Sequence, residues 1–168
     1  MKVAELAGSG PEQELLTTFY IGTDYYGIEV MKVQEVTGSP ILVLVPLAPK
    51  FVQGLVNLRG QLATALGLRE LFGKEPIASV EPMSVVCRAD GNLVALMVDS
   101  IGDVVEVERK DYDPPPDTIP IQVKKFIKGV YRMNGVLLSV LDLEKVTQEL
   151  SPSVEIIENR QQKQKEGM

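Results

Sequence analysis

One block of this chain is written twice. Residues 51–71, FVQGLVNLRGQLATALGLREL, return as residues 126–146, FIKGVYRMNGVLLSVLDLEKV, at a constant offset of 75. Six pairs are identical: Phe51 with Phe126, Gly54 with Gly129, Gly60 with Gly135, Leu62 with Leu137, Leu66 with Leu141 and Leu68 with Leu143. Most other pairs are apolar for apolar. A repeat of this length constrains the fold more than any local propensity does, because both copies must solve the same packing problem.

The repeated unit reads as a hairpin. An apolar stretch runs into a two-residue turn and a second apolar stretch comes after it. In the second copy the turn is Asn134-Gly135, a strong type I′ signal, since both central residues need φ > 0. The first copy has Arg59-Gly60. Arg has no preference for left-handed backbone, which costs an ordinary residue roughly 1–2 kcal/mol. Two readings stay open: a surface Arg in a different turn, or an Arg kept because something binds it.

The rest of the chain retraces itself too. Leu15 to Ile21 reads as a strand, Gly22-Thr23-Asp24 as a turn and Tyr26 to Val30 as the return strand. Met83 to Cys87, Asp90-Gly91 and Leu93 to Val98 repeat that plan. Tyr26, Ile28, Val30, Val33 and Val36 match Val94, Leu96, Val98, Ile101 and Val104 at an offset of 68. The later block is offset by 75, so the second half carries 7 extra residues (75 minus 68), placed around the stiff Pro114-Pro115-Pro116. The threefold spacing of Val30, Val33 and Val36 suggests a helical turn or a bent strand. Ile41 to Val45 is a continuous apolar run and reads as a strand buried on both faces. Leu68 to Phe72 reads as a short helix with Gly73 at C′. A second helix, 142–150, has Asp142 as N-cap and Leu143, Val146 and Leu150 on its apolar face.

These elements predict a mainly β fold: two five-stranded β-barrels packed together, with short helices including a C-terminal one. The expected organisation is an arm at 1–13, a first barrel at about 14–75, a second at about 82–141, the helix 142–150 and a polar tail at 151–168. Small barrels bury modest cores, so a shared apolar seam between them is expected.

Chemistry is scarce. The chain has 45% apolar and 24% charged residues, a net charge of −6 and no His. That balance opposes nucleic-acid binding, which needs a basic surface, and removes the commonest general base and metal ligand. The single Cys, Cys87, sits in an apolar run, reads as buried and structural, and fits a reducing cytoplasm. No phosphate loop, CxxC, HExxH or GxSxG is present, so no cofactor, metal or catalytic site is expected. The longest apolar run is far short of a membrane span, and no signal peptide is visible.

Three stretches carry a resemblance: Tyr26-Gly27-Ile28-Glu29-Val30, then Lys32-Val33-Gln34-Glu35-Val36, then Phe51 through Asn57-Leu58-Arg59-Gly60. With Val98-Asp99-Ser100-Ile101-Gly102-Asp103-Val104, they resemble the CheW family of bacterial chemotaxis coupling proteins over about residues 14–150. The resemblance implies two SH3-like barrels and a non-catalytic adaptor. It implies as partners the cytoplasmic tip of chemoreceptors and the regulatory domain of a CheA-like histidine kinase, in the cytoplasm. By position it implies receptor contact at Val33, Glu35 and Arg59, with Val98 and Ile101 lining the second half of the same groove. Thr64 and Gly67 stand where the family usually has Pro and Asp, and losing the Asp removes an N-cap from the Leu68–Phe72 helix. A receiver-linked protein or kinase fragment is disfavoured by the chain's ending near 168. The alternative from another class is a ligand-binding or carboxylate-hydrolase β-barrel, which would need a deep polar cavity.

Overall fold

The structure is a computed structural model that describes residues 12–77 and 81–150. Most of the expected arm and the whole expected tail lie outside the described residues, although Gln13 already opens the first strand.

The strands are β1 (Gln13–Ile21), β2 (Asp24–Glu29), β3 (Val33–Thr37), β4 (Val52–Leu58), β5 (Gln61–Gly67), β6 (Met83–Ala89), β7 (Asn92–Val98), β8 (Ser100–Glu108), β9 (Tyr112–Asp113), β10 (Ile127–Met133) and β11 (Val136–Leu141). Three short helices accompany them: α1 (Leu68–Leu71), α2 (Ile121–Lys124) and α3 (Leu143–Gln148). One sheet runs β8-β1-β2-β11-β10-β9 and the other β3-β6-β7-β5-β4. Apart from the two-residue β9, each has five strands, as the repeat requires.

The strands are not shared out by chain halves, which corrects the division at 14–75 and 82–141. The chain crosses from the first sheet to the second between β2 and β3, through a 3-10 turn at Val30–Lys32. It returns between β7 and β8, at Asp99. Each barrel therefore combines the opening hairpin of one half with the closing hairpin of the other. The joints are parallel, β2 on β11 and β7 on β5. Parallel neighbours need a long connection. For β5 and β7, α1 and β6 supply it.

The two halves are related by an approximate twofold. Phe19 faces Ile101 in one sheet, and their partners at offset 68, Cys87 and Val33, face each other in the other. Both repeated hairpins turn through left-handed pairs: Arg59 and Gly60 at φ 54° and 86°, Asn134 and Gly135 at 37° and 84°. Leu62 and Leu137, the repeat's exposed pair, both face solvent.

Alternation along β7 shows how the cores divide. Leu93, Ala95 and Met97 point into their own barrel. Val94, Leu96 and Val98 point into the seam between the sheets, with Phe19, Ile21, Tyr26, Phe72 and Phe126. Among the described residues this seam is the largest apolar cluster. It is sealed by helix residues Leu68, Leu143 and Val146. Cys87 is buried there, and burial pushes its thiol up to about 12, so it is inert packing. The barrel interiors are filled with apolar side chains, Val56 and Leu93 in one and Leu16, Leu138 and Val140 in the other. A deep polar cavity has no room there.

The Ile41–Val45 run is not a buried strand. It belongs to a strap, residues 38–51, that meets the sheet at the Val43–Leu55 bridge and again where the Gly67 N–H donates to the Phe51 carbonyl at 2.7 Å. Its counterpart is β9, where Asp113 bridges Val130, the residue 75 beyond Leu55. The approach is close enough to demand glycine. A Cβ on Gly54 would lie 2.6 Å from the Val43 carbonyl oxygen, and one on Gly129 would enter the Tyr112 ring. Leu42 and Ala48 anchor the strap on the cores. Leu44 and Leu47 between these anchors, and Ile41 just before them, have no core left to fill and are 79%, 82% and 90% exposed.

Candidate functional site

The β4–β5 hairpin places Arg59 at its first corner. The left-handed turn is supported locally, since the Gly60 N–H donates to Asn57 Oδ1 at 2.9 Å. The guanidinium reaches out, with its side chain 89% exposed, and its one ion pair among the described residues is long: Nη2 lies 3.6 Å from Glu35 Oε2. A pair so exposed and stretched contributes little to stability. Glu35 is more enclosed, because β3 packs against Val86 of β6 at that point. A bulge between Val33 and Glu35 separates the directions of these two side chains. Arg88 Nη2 donates to Gln34 Oε1 at 3.2 Å and to Gln61 Oε1 at 3.3 Å. The mouth of this barrel is thus a polar rim tying β3 to the β4–β5 hairpin.

Of the five residues expected to line the groove, Glu35 and Arg59 are brought together. Val33 and Ile101 are half-buried at the starts of β3 and β8, both against the seam. They occupy equivalent positions, each just past a crossover. Val98 is only 2% exposed and belongs to the seam core. Its expected place on the groove surface is corrected. The alternation of β7 turns it inward, where it can support Ile101's neighbourhood but offers no area to a partner.

Two features escape sequence reasoning. The first is a pair of charge contacts at the crossovers. Arg69 of α1 grips Asp99 through Nε at 2.8 Å and Nη2 at 2.5 Å. Asp99 also accepts the Gly22 N–H at 2.6 Å. Lys32 Nζ donates to Glu144 Oε1 of α3 at 2.8 Å. Asp99 is held below its ordinary pKa by the Arg69 hydrogen bond, and Glu144 below its own by the Lys32 hydrogen bond. Charged residues at helix positions give no sequence signal of which crossover they will meet.

The second is a pair of apolar faces. One is the exposed strap. The other is a cavity of about 380 Å³ beside β11, lined by Tyr25, Ile119, Pro120, Val123, Val136 and Leu137, with Asp24 and Lys74 at its polar side. The Asn134-Gly135 turn that puts Val136 and Leu137 there is legible in the sequence; the exposure of Ile121 at the start of α2 is not.

The Asp missing at position 67 is not replaced as a cap. Gly67 precedes α1 with no side-chain cap, and the Glu70 carboxylate and Gln53 amide occupy the space a side chain there would need. In the other half Asp142 caps α3 as expected, accepting the Lys145 N–H at 3.2 Å.

Comparison with known proteins agrees with this architecture. Residues 15–151 match the family model described as CheW-like domain. The chemotaxis protein CheW of Klebsiella aerogenes is 29% identical over 145 residues, covering 86% of this chain and 87% of that protein. The chemotaxis protein CheW of Treponema pallidum is 29% identical over 144 residues, covering 80% and 82%. In fold, the chain is similar to the scaffolding protein TtCheW from Thermoanaerobacter tengcongensis, with a TM-score of 0.70 and 22% identity over 76% of this chain and 88% of that one. The family match spans both barrels and both crossovers, and the chain belongs to the CheW-like domain family of chemotaxis coupling adaptors.

Proposed function

We propose that this adaptor joins the cytoplasmic tip of a chemoreceptor to the regulatory domain of a CheA-like histidine kinase, without catalysing a reaction itself. The observation that carries the reading is Arg59: a cation on left-handed backbone, almost fully exposed, with only a stretched ion pair among the described residues. A charge displayed at a cost in backbone strain suits recognition better than scaffolding. The receptor tip, a helical hairpin, lies along Val33 and Ile101, with Glu35 and Arg59 supplying polar contacts at one end. Val98 backs the groove from beneath.

The kinase domain takes the apolar faces. It has the same double-barrel architecture, and the strap with Ile41, Leu44 and Leu47 at the β4 edge and the cavity over the β2–β11 joint beside Val136 and Leu137 offer it apolar contact area. The chain works in the cytoplasm, attached to receptor arrays through these partners. Among the described residues no helix is long and apolar enough to cross a membrane.

The test is a pull-down of purified chain with a receptor tip and, separately, a CheA-type regulatory domain, then kinase phosphorylation with all three present. Binding to both and receptor-dependent stimulation of the kinase are expected. Capture of neither partner, or hydrolysis of nucleotide or ester by the chain alone, overturns the reading.

A further inference from the structure

Among the described residues the chain changes sheet twice, and both passages lie outside any strand. Each is gripped by the helix of the opposite half. Arg69 on α1, in the first half, holds Asp99 at the second crossover. Glu144 on α3, in the second half, holds Lys32 at the first. Arg69 and Glu144 are repeat partners, 75 residues apart, so the same helix position carries opposite charges and each crossover carries the matching one.

Immediately beyond each grip the chain enters the groove. Val33 comes directly after Lys32, and Ile101 two residues after Asp99. Neither ion pair touches the groove surface through Arg59 or Glu35. We propose that Arg69–Asp99 and Lys32–Glu144 are positioning groups: by fixing the two crossovers they set the spacing of β3 and β8, and so the width of the receptor groove. The claim about the groove rests on the function proposed above; the claim about strand spacing does not.

The physical grounds are the form of the contacts and their setting. Arg69 is bidentate, the geometry that gives direction as well as energy, and Asp99 is held from a third side by the Gly22 N–H. Both side chains of that pair are largely enclosed. At the second crossover the Asp99 N–H donates to the Tyr20 carbonyl of β1 at 3.1 Å, and the side-chain contacts add to that single backbone tie. The seam core supplies bulk stability, but apolar packing is non-directional and leaves the exit angle of each crossover to the polar contacts.

The experiment uses the full chain with spin-labelled cysteines at Gln34 and Asp103, both exposed, one on β3 and one on β8. Buried Cys87 stays unlabelled. Inter-label distances are measured with native clamps, in Asp99→Asn, in Glu144→Gln and in the swap Lys32→Glu with Glu144→Lys. A single narrow distance is expected with native clamps and in the swap, and a broadened or shifted one in the two single variants. Receptor-tip affinity should fall roughly tenfold in the single variants and return in the swap, while kinase-domain affinity holds throughout. Unchanged distances in folded single variants overturn the proposal, as does an equal loss of both partners, which marks a global defect. Changed distances with unchanged receptor affinity leave the clamps as positioning groups for the strands and overturn the groove assignment instead. Should Asp99→Asn fail to fold, the more exposed Lys32–Glu144 pair carries the same test.

Discussion

Arg59 and Asn134 stand at the same corner of two equivalent hairpins, at φ 54° and 37°. Asn134 is what this turn takes when folding alone selects the residue. Arg59 is what it takes when the hairpin also has to present a charge. Replacing Arg59 by Asn should therefore leave thermal melting unchanged or raise it by a few degrees, since it relieves left-handed strain of about 1 kcal/mol. The same change should weaken receptor-tip binding by roughly 1–3 kcal/mol, the scale of a lost charge-assisted hydrogen bond. Calorimetric titration against receptor tip and kinase domain, beside a melting curve, checks both halves. A fall in melting of many degrees would make Arg59 a scaffold residue.

The crossover clamps give stability a pH dependence. Asp99 and Glu144 titrate below their ordinary values in the fold, because Arg69 and Lys32 hydrogen-bond their charged forms. A carboxylate depressed in the folded state contributes stability that is complete at neutral pH and is lost as pH falls through its folded pKa. Melting temperature should hold from pH 8 to about 5 and then drop below pH ~4. Asp99→Asn should start lower at pH 7 and fall less steeply on acidification. Parallel curves for the two proteins would show that Asp99 is not a source of the acid lability.

How much of the fold is readable from sequence can be judged from two stretches. The hairpins are legible because Asn134-Gly135 and the periodic apolar residues around it act locally, and the offset carries the same shape to Arg59-Gly60. Ile41–Val45 misleads. A run of apolar residues states that water is unfavourable, not which surface will cover it, and here Leu42 is anchored on a core while Ile41 and Leu44 face out. The interleaving of the barrels is also hidden. Each half carries the same strands whether they pair within the half or across it, and the parallel joints of β2 on β11 and β5 on β7 bring together residues far apart in sequence. Val98 illustrates the limit at the site: position within a motif puts it near the groove, but only the alternation of β7 decides which way it points.

Gly67 and Glu70 should prove coupled. Any side chain at 67 meets the Glu70 carboxylate and the Gln53 amide. Gly67→Asp, which would restore a side-chain cap to α1, should destabilise by roughly 1–2 kcal/mol because Glu70 must be displaced. With Glu70→Ala also present the cap can form, and the double variant should be more stable than the sum of the single changes implies, by at least about 0.5 kcal/mol. Urea unfolding of the four proteins measures the coupling. Simple additivity would mean that Glu70 swings away freely.

Leu47 provides the sharpest test of the apolar strap. It holds φ at 62°, a conformation that Leu adopts at a cost of about 1–2 kcal/mol, and its side chain is 82% exposed. Neither fact helps the isolated protein. The strap is anchored by Leu42 on one side and Ala48 on the other, so the strained turn between them lifts Leu47 away from the surface instead of packing it. Leu47→Asn keeps the turn with a residue that tolerates left-handed backbone. It should raise stability by roughly 0.5–1 kcal/mol, or about 1–4 °C in melting temperature, because almost no buried area is lost. It should also weaken binding to the kinase regulatory domain by roughly 1–2 kcal/mol, the scale of an apolar side chain buried at an interface, while receptor-tip binding is unchanged. Loss of stability would mean that Leu47 packs against something in solution. Undiminished kinase-domain binding, with the gain in stability present, would move the docking face elsewhere, with the cavity beside Val136 and Leu137 the next place to mutate.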